Sequence, residues 1–215
     1  MSDNLFQTQY DVSKQSRLKN FYQKNKILIY SVVLIIVIFT SSVSFYSIKK
    51  EKKKIFLSDN YIEAKVKLKA GQKDEAKKIL ETIIFKNDTI YSPLSLFLIL
   101  DENLIEDQKE LLNLYIHILE NNKFEKEIKN LIIFKKALFQ SNFVNESELL
   151  ESLKPIINTE TIWKPHALLL LGDFFMSKKQ YLKAKEFYLQ ILSLKDLNQE
   201  FYNKAKSQLV LISND

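Results

Sequence analysis

Apolar residues fill this chain in two rhythms. From Ile27 to Ile48 they run without a charge: sixteen of the 22 positions are apolar, and Val32–Phe39 carries no polar side chain. As a helix rising ~1.5 Å per residue, such a run spans ~33 Å, enough for a hydrocarbon core of ~30 Å. Beyond Lys54 the apolar positions recur every three or four residues, the spacing of one face of a helix. Tyr61, Ala64 and Leu68 mark a first helix that breaks at Ala70-Gly71-Gln72, and Ala76, Ile79, Leu80, Ile83 and Ile84 mark the next. The same spacing predicts helices over Ser92–Leu100, Glu106–Leu119, Glu125–Gln140, Ser147–Ile157, Ile162–Met176, Tyr181–Leu192 and Gln199–Ile212. Short helices with short connections predict an all-α fold: one N-terminal transmembrane helix, then an α-solenoid of about four helical hairpins and a C-terminal capping helix.

Three readings of Ile27–Ile48 stand open. A retained anchor agrees best with the 26-residue lead and the length of the run, since a secretory signal has a shorter apolar core of ~7–15 residues. A cleaved signal would use the small-x-small triplet Ser42-Val43-Ser44. A buried core helix is the third. The domain plan that follows is a cytoplasmic tail over 1–26, a membrane helix over 27–48, a basic linker over 49–54 and a helical repeat domain over 55–215.

Composition narrows the class. The whole chain holds two glycines and three prolines, too few for the turns of all-β or nucleotide-binding α/β folds. The net charge of +6 is unevenly placed. Lys14, Arg17, Lys19, Lys24 and Lys26 outweigh Asp3 and Asp11, and Lys49–Lys54 holds five lysines against Glu51, which leaves residues 55–215 slightly acidic. The basic character therefore belongs to the membrane flanks, where lysine meets anionic headgroups; a nucleic-acid-binding domain would carry it on the folded part. The flanks tie at five cations each, so the positive-inside rule gives no orientation. The absence of cysteine excludes disulfides and thiol chemistry.

The last predicted pair has a sharper pattern. With Pro165 as position one of a 34-residue unit, Leu168 falls at 4, Leu171 at 7, Gly172 at 8, Phe175 at 11, Ala184 at 20, Tyr188 at 24 and Ile191 at 27. Small residues at 8 and 20 let two helices approach, and large ones fill the space between them. This is similar to the tetratricopeptide repeat, with Asp196 where the repeat ends in proline. The first pair fits more loosely: Ala76 at 20 places Ala64 at 8, Gly71 at 15, Leu80 at 24 and Ile83 at 27.

Together the basic tail, the membrane run, "NYIEAKVKLKAGQKDEAKKILETII" and "IWKPHALLLLGDFFMSKKQYLKAKEFYLQIL" resemble the bacterial inner-membrane tetratricopeptide-like proteins related to the ancillary SecYEG translocon subunit. The resemblance implies a single-pass inner-membrane protein with a cytoplasmic N-terminus and a periplasmic repeat domain. It also implies protein partners: the SecYEG translocon, a periplasmic chaperone of the peptidyl-prolyl isomerase type, and exported chains.

No catalytic, cofactor-binding or metal-binding constellation emerges, so the chain reads as a non-enzyme without cofactors. His117 and His166 have no carboxylate or histidine at metal spacing. Acidic pairs near residues 101–107 suit helix capping. In repeats of this kind, positions 2, 5, 9, 12 and 13 of the first helix line a groove; here they are His166, Leu169, Asp173, Met176 and Ser177. That mixed lining suits an extended peptide, and Leu169 and Met176 equally suit packing against a neighbouring helix. Trp163 reads either as an interface anchor or as a cover over the hairpin. Membrane lipid is expected at 27–48 and Lys49–Lys54, nucleic acid is not, and homo-oligomerisation stays open. A scaffold for a division or cell-wall complex would use the same anchor and hairpins.

Overall fold

A computed structural model describes the backbone from Asn4 to Ser213 and the side chains from Lys19 to Ser213. Asp3, Asp11, Lys14 and Arg17 of the basic tail lie outside the described side chains. Among the described residues all regular structure is helical. The elements are α1 (Asn4–Lys69), α2 (Lys73–Ile84), α3 (Tyr91–Asp101), α4 (Gln108–Asn121), α5 (Lys126–Gln140), α6 (Glu146–Ile157), α7 (Lys164–Ser177), α8 (Tyr181–Leu192) and α9 (Gln199–Ser213). The chain divides into two compact units, Met1–Ser58 and Asp59–Asp215.

The first unit is helical throughout its described residues. One departure occurs at Asn25, with φ −116° and ψ 17°, whose amide donates to the Phe21 carbonyl at 3.1 Å. The apolar run that follows is long and apolar enough to cross a membrane. Ile35 is 64% exposed and Phe39 68%, which speaks against the core-helix alternative. Three of its hydroxyls bond back to the helix: Ser31 donates to Ile27 O at 2.9 Å, Thr40 to Ile36 O at 3.0 Å and Ser42 to Ile38 O at 2.8 Å. A hydrocarbon core offers no other partner to a hydroxyl. The lysine-rich stretch 49–54 continues the helix without a break.

In the second unit each helix packs on the next, and α5, α7 and α9 also pack in succession. The polar connections are built locally. Asp107 accepts the Lys109 N–H at 2.8 Å to cap α4. Asn145 accepts the Glu148 N–H at 3.0 Å, and its amide donates back to the Glu148 carboxylate at 2.8 Å, a reciprocal cap for α6. Before α3, Asp88 Oδ1 accepts the N–H groups of Ile90 and Tyr91, each at 2.9 Å.

Gly71, Ala64, Ala76 and the last pair's signature residues occupy distinct environments. Ala64, Ala76, Leu171, Ala184 and Tyr188 are fully buried and Phe175 nearly so. Gly71 has φ +75° with nothing within 4 Å of where a Cβ would stand. The Gln72 N–H donates to Lys67 O at 2.9 Å and closes the turn. Lys179 holds the matching position after α7 at φ 60°. There the Gln180 N–H donates to Phe175 O, also at 2.9 Å, so both turns use the same left-handed helix stop.

Gly172 is governed by space rather than by backbone. A Cβ there would lie 2.5 Å from Tyr188 Cε1. The Tyr188 ring is fully buried, and its hydroxyl donates to Asp173 Oδ1 at 2.7 Å. Ring and hydroxyl are thus both pinned, and the ring has nowhere to yield. Burial, and then Asp173, push the Tyr188 hydroxyl well above its ordinary pKa, so it stays a donor. Gly172→Ala is expected to cost about 1–3 kcal/mol by overpacking, and Gly71→Ala about 1–2 kcal/mol from its backbone alone. Chemical denaturation followed by circular dichroism measures both. In a Tyr188→Leu background the cost of Gly172→Ala should fall by more than half; equal costs in the two backgrounds would place the conflict elsewhere.

Candidate peptide-binding cleft

The second unit presents a cleft of about 500 Å³ between α5, α7 and α9. It starts from the way the chain enters α7. Thr161 donates to Glu127 Oε2 at 2.6 Å and accepts from the Asn130 amide at 3.1 Å. It also accepts the Trp163 N–H at 3.3 Å. One threonine thereby fixes the start of α7 on α5.

That placement gathers four rings. Trp163 stacks on Phe134 with centroids 5.8 Å apart. His166 lies 5.0 Å from Trp163, 5.6 Å from Phe134 and 4.6 Å from Phe201 of α9. Edge-to-face contacts of this kind add to the area that they bury. Among the described residues, His166 Nδ1 and Trp163 Nε1 are both buried without a hydrogen-bond partner in good geometry. Burial pushes the His166 imidazole below its ordinary pKa, against the opposing pull of the Ile162 backbone and the Glu200 carboxylate.

Of the five groove positions read from the sequence, His166, Leu169 and Asp173 line this cleft. Leu169 also belongs to the hydrophobic core, and Met176 packs against that core without reaching the cleft. Ser177 is exposed and donates back to the Phe174 carbonyl at 2.7 Å. Leu170 of α7 also lines the cleft, and the opposite walls come from Phe134 and Leu138 on α5 and from Asn198, Glu200, Phe201 and Lys204 at and within the start of α9. Sequence reasoning missed the α5 and α9 walls, because neither helix carries the repeat signature, and it passed over Leu170, which is not one of the five repeat positions. The i, i+4 pair Phe134–Leu138 and the i, i+3 pair Phe201–Lys204 were the available signals.

His117 lies elsewhere. Its Nε2 is 2.8 Å from Asn87 Oδ1, and its ring is 4.8 Å from that of Phe85. It bridges two layers of helices. Among the described residues no three His, Asp or Glu side chains gather as metal ligands would.

The cleft's chemistry is a mixed one: aromatic and aliphatic walls, with Asp173, Glu200 and Lys204 also on its lining. It can seat an apolar side chain and pair a backbone or charged group beside it. A pH dependence follows from His166. Its folded pKa lies below the unfolded value of ~6.5. The stability it contributes is complete above that value and is lost as pH falls below it toward the folded pKa. Between pH ~7.5 and ~5 the natural chain is therefore expected to lose more stability than His166→Phe. Urea midpoints at the two pH values measure the difference.

No family profile matches the chain, and no solved structure does. The ancillary SecYEG translocon subunit of Buchnera aphidicola subsp. Schizaphis graminum is similar to it: 31% identical over 158 residues, which cover 71% of this chain and 78% of that protein. The match extends beyond the anchor, because 158 residues cannot fit within a unit that ends at Ser58. With its membrane-spanning segment and its all-helical second unit, the chain belongs to the family of the ancillary SecYEG translocon subunit.

Proposed function

We propose that this chain is a membrane-anchored protein-interaction module that works beside the Sec translocon. The observation that carries the reading is the relationship to a protein described as an ancillary SecYEG translocon subunit. In this reading the N-terminus is cytoplasmic, residues 27–48 cross the inner membrane, and the helical hairpins stand in the periplasm as a degenerate tetratricopeptide array. Lys49–Lys54 meets lipid headgroups where the helix leaves the bilayer. The translocon, a chaperone of the peptidyl-prolyl isomerase type and exported chains are its partners. The function is recognition rather than turnover.

The cleft between α5, α7 and α9 supplies the recognition surface. Leu169, Phe134 and Phe201 offer apolar contact, while Asp173 and Lys204 offer opposite charges within the same opening. An extended or partly folded segment matches such a lining, because alternate side chains can enter while its backbone stays polar.

Two measurements test the proposal together. Alkaline phosphatase fused after Asp215 is active only when exported and is expected to be active on a full-length product. A photoreactive residue at Leu138, which is 42% exposed, is expected to crosslink translocon or chaperone subunits in intact membranes. The same probe at exposed Asn113 on α4 is expected to give at least ten-fold less. A phosphatase-silent fusion, or equal capture from both positions, would sink the proposal.

A further inference from the structure

The turn between α7 and α8 has an unusual surface. Leu182 is 82% exposed, more than Ile35 or Phe39 in the membrane-spanning run. Between Asp173 and Glu186 every charged residue is basic: Lys178, Lys179, Lys183 and Lys185. Lys183 is engaged with Glu146. Lys178 lies over the Phe174 ring at 5.5 Å, and Lys178, Lys179 and Lys185 are exposed and make no ion pair among the described residues. Glu186, one turn beyond Leu182, is the nearest acid in sequence on that face.

We infer that this hairpin tip is a lipid-contacting surface, in which Leu182 enters the interfacial layer of an anionic bilayer while Lys178, Lys179 and Lys185 meet its headgroups. The chemistry favours a lipid surface over a protein. A stable protein interface needs a well-packed apolar centre and roughly 800 Å² from each partner, whereas this tip offers one protruding leucine on a lysine-rich turn and lines none of the described clefts. A bilayer asks only for positive charge and a shallow apolar anchor. Weak affinity suffices, because the same chain carries its own membrane-spanning helix and tethering raises the effective concentration of the surface. The surface is separate from the cleft proposed above for peptides, and neither reading depends on the other.

The absence of cysteine makes the test direct. Leu182→Cys in the full chain accepts a single environment-sensitive NBD label. The labelled protein is compared in detergent, in phosphatidylcholine vesicles and in vesicles containing phosphatidylglycerol. The expected result is a blue shift with about a two-fold gain in emission in the anionic vesicles alone. Raising salt from ~0.01 M to 1 M shortens the screening length from ~30 Å to ~3 Å and should abolish it. Lys179→Glu with Lys185→Glu should also abolish it while circular dichroism stays unchanged. An unshifted label in anionic vesicles would overturn the inference. So would a shift indifferent to salt and lipid charge, one that grows with the protein-to-lipid ratio as self-association would, or an equal shift from a label at Asn113→Cys.

Discussion

The C-terminal part of the second unit depends on one contact, the approach of α8 to α7 at Gly172. A hydrogen in place of a side chain lets the Tyr188 ring lie against the α7 backbone, and Asp173 holds that ring by its hydroxyl. Once the two helices are seated this way, Phe175 and Phe187 stack at 5.5 Å with their planes 4° apart. Ala184 and Ile191 complete the buried layer. Both α6 and α9 then pack against this pair. The cleft inherits its walls from the same seating, since α7 carries His166 and Leu169, and α9, which carries Phe201, packs on α7 and α8.

The parts of the fold that were legible in the sequence are those where size alternation does the work. Gly172, Ala184 and Tyr188 announce their pairing because a close crossing tolerates little else at those positions. The boundaries of α8 were equally clear, with Tyr181–Leu192 both expected and found. In α3, by contrast, apolar residues cover every side of "LFLIL", and buried Ser92 and Ser95 interrupt any stripe. Its existence was readable and its facing was not. The lysine run at 49–54 illustrates another limit. Lysine clusters suggest a linker by composition, yet lysine is a good helix former, and the helix carries straight through it.

The cleft was half legible for a related reason. Repeat spacing assigns positions within one hairpin, so it found the α7 wall. The opposite walls come from helices whose lining residues stand 25 or more positions away, where no shared signature aligns them. The aromatic hub also depends on Thr161, a residue with no motif around it, which reaches Glu127 and Asn130 across 34 and 31 positions. Such a contact is a product of the folded chain and leaves no local pattern.

Trp163 is the chain's single tryptophan, and it stands in the aromatic hub against Phe134 and His166. Excited selectively, the protein therefore emits light from one place. Neither the ten tyrosines nor the lipid-facing anchor shares that signal. A natural optical probe is thus already installed behind the cleft, against two of its lining residues, Phe134 and His166, where a neighbouring imidazole can quench it, and the unaltered polypeptide can report on that wall while it remains in its membrane.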